Sequence, residues 1–239
     1  MTGCYATRTG AWSNGFSIPQ RDGSNDLFKY FPSFARLLKE AGYATAVAGK
    51  WHVGGAEHPS NPVVGFDEYS LWEGEKEVSA LPGNQKITAA MENEETPSRY
   101  WQPSIVQNGK LYPSMPDEFG PDIETDFLCS FMERSVKAGK PFMAYLPTAA
   151  PHGARNGMPT TPLRGPPGDN GSADRQENAK RFRALTDYLD VMVTRLEKKT
   201  RDLGVFDNTV FIFTSDNGTA VVAKSRGTER GSRVPFIVW

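Results

Sequence analysis

The stretch YATAVAGKWH, residues 43–52, joins a short apolar run to a polar turn, and it indicates the fold class. Residues 43–48 have the length and composition of a buried strand, and the turn Gly49-Lys50-Trp51-His52 follows at once. Just before the strand, residues 33–41 (SFARLLKEA) repeat apolar side chains at the spacing of one helical face. Ser33 is a suitable N-cap and Gly42 a suitable C-terminal stop. The segment therefore predicts a helix followed by a strand.

The same order of helix and strand recurs twice further along the chain. The apolar face of residues 122–138 precedes the run PFMAYL at 141–146, and that of residues 177–203 precedes TVFIFT at 209–214. A final strand begins near Val234. This order predicts an α/β fold, in which helices flank a mostly parallel sheet whose strands are buried on both faces. Residues that follow the strands then meet at the carboxyl edge of the sheet, where ligands bind.

The overall charge is close to zero. The 239 residues include 27 Lys+Arg and 28 Asp+Glu, which gives a formal net charge of −1 and argues against a nucleic-acid partner. No apolar run approaches the roughly 18–20 residues of a membrane span. Cys4 and Cys129 allow one disulfide or none, so a disulfide-rich scaffold is excluded. The length allows one large α/β domain or two smaller ones.

Three polar clusters follow the predicted strands, and each has two interpretations. After the first strand, Lys50 and His52 are an anion-binding cation and a proton-transfer group, or a surface lysine and a packed histidine. After PFMAYL, His152 is an acid–base group or a structural histidine. After TVFIFT, Asp216 and Asn217 offer the hard oxygens that Ca²⁺ and Mg²⁺ prefer, or they form an ordinary turn.

Four motifs in a fixed order make the functional interpretation more specific. They are Gly42-Tyr43-Ala44-Thr45 leading to Gly49-Lys50-Trp51-His52-Val53-Gly54, then Pro151-His152, then Asn208-Thr209 leading to Thr214-Ser215-Asp216-Asn217-Gly218, and finally Lys224 with Glu229, Gly231, Arg233 and Val234-Pro235-Phe236-Ile237. Together they resemble the sulfatase family, within the alkaline-phosphatase-like superfamily. The resemblance spans residues 1–239 and implies that fold, with a variable insertion at about 54–121.

The resemblance implies how a sulfate ester would be bound and cleaved. Lys50 and Lys224 would bind the sulfate oxygens. His152 would also contact the sulfate and pass a proton to the leaving oxygen, while His52 would orient or deprotonate the nucleophile. Hydrolysis builds negative charge on the leaving oxygen, and fixed cations and a metal stabilise that charge.

The resemblance also implies a metal and a modified nucleophile. Asp216 and Asn217 would ligate Ca²⁺, with Mg²⁺ less favoured. The family's nucleophile is a Cys or Ser oxidised to formylglycine. Cys4 mimics that motif, but residues 2–10 match the stretch that follows it, so we expect the nucleophile upstream of Met1. We expect residues 1–239 to be a partial N-terminal catalytic domain without the C-terminal subdomain, inactive alone and weak in Ca²⁺ binding.

The substrate implied by the resemblance is a sulfated small molecule or glycan. The location that the family implies is the periplasm, the cell exterior or the lysosome. Two alternatives stay open: a phosphodiesterase, phosphonate hydrolase or phosphatase of the same superfamily, and a non-catalytic truncated product. Four aromatic residues of the insertion either stack on the substrate or pack the loops on themselves. They are Tyr69, Trp72, Tyr100 and Trp101.

Overall fold

The computed structural model describes residues 1–9, 27–51, 58–74, 89–90, 96–154, 156–171, 174–218 and 229–239. They form two compact units, Met1–Lys199 and Thr200–Trp239. In the first unit the elements are α1 (Ala6–Thr9), α2 (Leu27–Tyr30), α3 (Phe34–Glu40), β1 (Ala44–Gly49), β2 (Glu68–Trp72), β3 (Ile105–Gln107), β4 (Lys110–Leu111), α4 (Gly120–Lys137) and β5 (Phe142–Tyr145). Helix α5 (Arg175–Asp202) continues into the second unit, which holds a 3₁₀ turn (Phe206–Asn208), β6 (Ile212–Thr214), α6 (Glu229–Ser232) and β7 (Phe236–Val238).

A five-stranded sheet with the strand order β4-β3-β2-β1-β5 is the framework of the first unit. Strand β1 is parallel to β2 on one side and to β5 on the other. Strands β2, β3 and β4 pair antiparallel, so the sheet is mixed. The α/β class is confirmed, and the antiparallel strands pair within residues 54–121, where the sequence predicted short strands only around 105–111.

The hairpin between β3 and β4 shows why the strands around 105–111 were predictable. Its turn is Asn108-Gly109, with φ angles of 46° and 83°. Two adjacent positive φ values are typical of a type I′ turn, for which Asn-Gly is a strong sequence signal. Strand β2 carries no such signal, since its run Glu68–Trp72 mixes polar and apolar residues and is held by pairing with β1.

Helix α3 begins and ends where the sequence predicts. The Ser33 side chain accepts a hydrogen bond from the Arg36 backbone N–H at 3.0 Å and donates one to the Val64 carbonyl. Gly42 follows the helix with a φ of +93°, a conformation that glycine adopts without strain. Below the helix, a buried cluster joins it to the sheet and consists of Phe28, Ala35, Val47, Val64, Phe66 and Leu71.

Two runs predicted to be buried strands are less covered than expected. In β5, all four side chains are half-buried, because β5 is the edge strand of its sheet. In the second unit, β6 and β7 form a two-stranded antiparallel ribbon in which Ile212 is 62% and Phe236 is 70% exposed. Two strands alone bury little surface. The prediction of full burial was therefore wrong for both runs, although the strands themselves exist.

Within the described ranges, no helix has the length and apolarity to cross a membrane.

Helix α4 packs against β1, β2 and β5 and carries a buried carboxyl group. The Glu124 side chain is 1% exposed, and its Oε2 atom has no hydrogen-bond partner within the described part of the chain. Burial without a partner disfavours the charged form and raises the pKa of Glu124 well above its ordinary value of 4.5. Burial therefore favours the protonated form of Glu124 in the folded protein.

We expect Glu124→Gln to flatten the pH dependence of stability. The folded state keeps a proton that the unfolded chain releases above a pH of 4.5, so the free energy of unfolding falls as the pH rises towards the raised pKa. The loss is at most about 1.4 kcal/mol per pH unit. Urea denaturation at about pH 5 and about pH 8 measures it.

Glu133→Gln is the matched control for this experiment. Hydrogen bonds from Lys137 and Lys199 lower the pKa of Glu133 to about 2, so Glu133 does not titrate in this pH range. The control should keep the wild-type pH slope, whereas Glu124→Gln should lose it. Equal slopes for wild type and Glu124→Gln would contradict the assignment of a buried, protonated Glu124.

Candidate active site

The carboxyl end of β1 lies against the segment that follows β5. Gly49 has a φ of +135°, and a Cβ added there would lie 2.4 Å from the Pro147 carbonyl oxygen. The Lys50 backbone N–H donates to that same oxygen at 2.8 Å. Only a glycine allows this close approach, because any side chain would overlap the backbone of the neighbouring segment. The approach fixes Lys50 at the carboxyl edge of the sheet.

Trp51 anchors the turn on the other side of Lys50. Its ring lies 6.3 Å from that of Phe28 and 6.0 Å from that of Phe66, the second contact being edge-to-face. Within the described residues, the buried indole N–H of Trp51 has no hydrogen-bond partner. His52, which the sequence predicts as the partner of the nucleophile, lies outside the described residues.

His152 sits on the loop that follows β5, and its side chain is exposed. Its backbone N–H donates to the Ala149 carbonyl at 2.8 Å. Its ring Nδ1 lies 2.7 Å from the Gly153 carbonyl oxygen, which only accepts, so Nδ1 is the donor. In the neutral ring the lone pair is then on Nε2. The loop thus sets the tautomer of the imidazole.

An aromatic cluster supports this loop from beneath. The Phe119 ring lies 5.6 Å from Tyr100, 4.8 Å from Trp101 and 5.4 Å from Tyr188. The same cluster buries two alanines before His152, Ala149 and Ala150, and one after it, Ala154. The buried Tyr100 hydroxyl donates to the His152 carbonyl at 2.5 Å. The exposed imidazole of His152 is therefore attached to a loop that packs on a buried aromatic cluster.

The position of α5 in this cluster is set by contacts with α4. Asp122 accepts hydrogen bonds from the Tyr188 hydroxyl at 2.8 Å and from the Arg195 guanidinium. About three turns further along α4, Glu133 pairs with Lys199 at 2.6 Å. Each exposed ion pair contributes little, and together they fix which face of α5 meets the cluster.

The loop at 156–171 is attached to the same aromatic cluster. The Asn170 side chain accepts from the Trp101 backbone N–H at 2.8 Å and donates to the Trp101 carbonyl at 3.1 Å. The Trp101 indole N–H donates to the Thr160 hydroxyl at 3.0 Å. Trp101 is 2% and Tyr100 is 0% exposed, so both pack the loops on themselves and neither is an open stacking platform. Of the two alternatives, packing is confirmed for these residues.

The second unit presents the predicted metal-binding turn. Asp216 is exposed and Asn217 half-buried in the bend that follows β6. The Ser215 hydroxyl donates to the Asn217 carbonyl at 2.8 Å, and the Gly218 N–H donates to the Gly231 carbonyl at 2.9 Å, which ties the bend to α6. Lys224 lies outside the described residues. No group of three or more His, Cys, Asp or Glu side chains within the described ranges is arranged to hold a metal.

The predicted residues are divided between the two units. In the first unit, Lys50 follows β1 and His152 follows β5, and these are adjacent parallel strands of one sheet. Asp216 and Asn217 belong to the second unit and form a turn of their own. Cys4 and Cys129, whose pairing the sequence left open, are both free thiols. The sequence does not reveal the contact of Gly49 with the Pro147 carbonyl or that of Tyr100 with the His152 carbonyl.

A lysine and an imidazole that follow adjacent strands at the carboxyl edge of a sheet are typical of the class of α/β proteins that bind ligands at that edge. The comparison with known families makes the class specific. The family model described as Sulfatase matches residues 1–239, and the chain belongs to the sulfatase family. The resemblance of its motifs to that family is thereby confirmed, and the family is one of sulfuric ester hydrolases.

Individual relatives share the family and differ in their named substrates. The chain is 26% identical over its full length to the ulvan-active sulfatase of Formosa agariphila, and covers 45% of that protein. It is 30% identical over 65% of its length to the N-acetylglucosamine-6-O-sulfatase of Bacteroides thetaiotaomicron, and covers 22% of that protein. The chain spans less than half the length of these curated relatives.

A solved structure shows the same fold. The PsFucS1 sulfatase from Pseudoalteromonas sp. superposes with a TM-score of 0.63 at 21% identity, over all of this chain and 50% of that one. At this identity, the likeness shows the fold alone.

Proposed function

We propose that this sequence contributes to an enzyme that hydrolyses the sulfate esters of glycans, and that Lys50 and His152 bind the sulfate group. The observation that carries the proposal is their placement after β1 and β5, where the Lys50 N–H and the Pro147 carbonyl hold the two strand ends together. A cation and an imidazole fixed at one sheet edge suit an anionic ester that develops further charge as it is cleaved.

His152 has the geometry expected of a proton donor. Because Nδ1 already donates to the Gly153 carbonyl, proton transfer falls to Nε2. Protonated Nε2 would donate to a sulfate oxygen and then to the leaving oxygen. For Lys224 as a second cation and His52 as the partner of the nucleophile, the proposal rests on the sequence motifs.

Asp216 and Asn217 are the residues that would hold a metal ion. A carboxylate and an amide carbonyl are hard oxygen donors, which fits Ca²⁺ and, less well, Mg²⁺. Ca²⁺ takes about six to eight oxygen ligands, so these two supply part of a complete set. Bound Ca²⁺ would supply a positive charge that orients the sulfate group and stabilises charge at the reacting centre. Weak Ca²⁺ binding by this chain is part of the proposal.

The nucleophile in this proposal is a formylglycine that is not among residues 1–239. Residues 2–10 match the stretch that follows the family's nucleophile motif, which makes Cys4 a mimic. The chain as it stands would therefore bind a sulfate ester without hydrolysing it. In this proposal, residues 1–239 are a partial catalytic domain with an insertion at about 54–121.

A sulfated glycan is favoured over other sulfate esters by the names of the relatives. Sulfatases of N-acetylglucosamine and N-acetylgalactosamine are among them. The half-buried rings of Tyr69 and Trp72 remain candidates for a contact with the sugar.

Equilibrium titration of the purified chain with inorganic sulfate tests the proposal. We expect Lys50→Ala to weaken sulfate binding about tenfold, because a charge-assisted contact is worth about 1.5–3 kcal/mol. Lys140→Ala is the matched control, since Lys140 precedes β5 at the opposite, amino edge of the sheet and should leave the affinity unchanged. Equal effects of the two substitutions would contradict the site.

Two further arms separate the alternatives. Inorganic phosphate that binds more tightly than sulfate would favour a phosphatase or phosphodiesterase of the same superfamily. The chain should not hydrolyse 4-nitrophenyl sulfate, and clear hydrolysis that depends on Cys4 would overturn the assignment of the nucleophile.

A further inference from the structure

We propose that Tyr100 is a positioning residue for His152, and that its hydroxyl sets the orientation and tautomer of the imidazole through the His152 carbonyl. The inference deepens the proposed function, on which the identification of His152 as a sulfate-binding residue rests. It assigns a role to a residue from the insertion at 54–121, which by sequence was a region of variable loops.

The contact between Tyr100 and His152 is direct and part-buried. Tyr100 is 0% exposed, and its hydroxyl donates to the His152 carbonyl oxygen at 2.5 Å. The two residues are 52 positions apart in the sequence, so the bond joins separate parts of the chain. This hydrogen bond resists rotation of the peptide that follows His152, because rotation would separate the His152 carbonyl from the buried Tyr100 hydroxyl.

The orientation of this peptide also affects the hydrogen bond of the imidazole. It links His152 to Gly153, whose own carbonyl accepts from Nδ1 at 2.7 Å. Rotation of the peptide would move the acceptor away from the ring. The Tyr100 hydroxyl therefore acts on the ring indirectly, because it keeps the Gly153 carbonyl in a position where Nδ1 can donate to it.

Packing alone does not account for a tyrosine at this position. The ring stacks on Phe119 at 5.6 Å with an interplanar angle of 24°, a contact that phenylalanine would also make. The difference between the two residues is the hydroxyl, and here the hydroxyl bonds to His152. Tyr188 offers a comparison in the same cluster, because its hydroxyl bonds to Asp122 on α4.

The experiment is side-chain nitrogen NMR on the intact chain labelled with ¹⁵N-histidine. The chain has three histidines, and His152→Gln identifies the signals of His152. His58 is an internal reference of opposite tautomer, because its Nδ1 accepts from the Ser60 backbone N–H at 3.2 Å. In wild type, we expect neutral His152 to carry its proton on Nδ1.

Tyr100→Phe should lower the ratio of Nδ1–H to Nε2–H in His152 at least fivefold and speed exchange of the His152 amide about tenfold, with His58 unchanged. Tyr188→Phe should alter neither. An Nε2–H tautomer of His152 in wild type would overturn the inference without any variant. So would an unchanged ratio in Tyr100→Phe, or an equal change in Tyr188→Phe.

The same spectra separate this inference from the proposed function. Addition of inorganic sulfate should shift the His152 ring nitrogens of the wild-type chain. If sulfate leaves them in place while Tyr100→Phe changes the tautomer ratio, the positioning by Tyr100 holds and the sulfate-binding proposal fails. If sulfate shifts them while Tyr100→Phe has no effect, the reverse conclusion follows.

Discussion

Gly49→Ala is expected to destabilise the first unit by at least about 3 kcal/mol, which is a large part of the stability of an ordinary domain. The new Cβ would lie 2.4 Å from the Pro147 carbonyl oxygen, and the φ of +135° is itself strained for alanine. The overlap is with backbone, so it is relieved only by separating β1 from the segment after β5. That movement breaks the bond from the Lys50 N–H to Pro147 and displaces Lys50.

Thermal and urea unfolding followed by circular dichroism measure this loss. Gly139→Ala is the control, because Gly139 also has a positive φ, of 66°, yet an added Cβ meets nothing within 4 Å. That substitution should lower stability by about 1 kcal/mol, the ordinary difference for alanine at a left-handed position after a helix. A Gly49 variant as stable as the Gly139 variant would refute the close approach of the two strand ends.

Phe119→Ala is expected to destabilise the protein by about 3–5 kcal/mol and to loosen the His152 loop. Phe119 is 2% exposed and contacts the rings of Tyr100, Trp101 and Tyr188. Its removal leaves a cavity at the centre of the cluster, under the alanines that flank His152. We therefore expect amide exchange of residues 149–154 to quicken together with the loss of global stability.

Phe236→Ala provides the comparison for the same deletion at an exposed site. Phe236 is 70% exposed in β7, so its truncation removes little buried surface and should change stability by no more than about 0.5–1 kcal/mol. Denaturant unfolding of both variants gives the two free energies. If Phe119→Ala were as mild as Phe236→Ala, the aromatic cluster would not be the support of the loop.

Local sequence signals account for the elements that were predicted well. Ser33 and Gly42 bound α3 as expected, and α4 and α5 begin and end within two residues of the predicted ranges. Strand β2 was missed because its residues show neither a continuous apolar run nor a turn signal. It is a strand because β1 offers it a partner. Half-burial of β5 was missed for the same reason, since an edge position depends on which strands pair.

The site was predictable to the extent that it follows strand ends. Lys50 and His152 were predicted because each follows an apolar run, and the family motifs selected the same positions. Their supports were hidden, because Gly49 meets a carbonyl 98 positions later, at Pro147, and Tyr100 bonds to a carbonyl 52 positions away. Contacts of this kind leave no periodic pattern in the sequence.

The central claim is that the carboxyl edge of this sheet binds a sulfate ester, and titration with a sulfated sugar tests it most directly. N-acetylglucosamine 6-sulfate and unsulfated N-acetylglucosamine are added in turn to the wild-type, Lys50→Ala and Lys140→Ala chains, with the His152 ring nitrogens as the signal. We predict that only the sulfated sugar shifts His152, and that Lys50→Ala alone weakens its binding, about tenfold. Equal responses to both sugars, or equal affinities in all three chains, would contradict the claim.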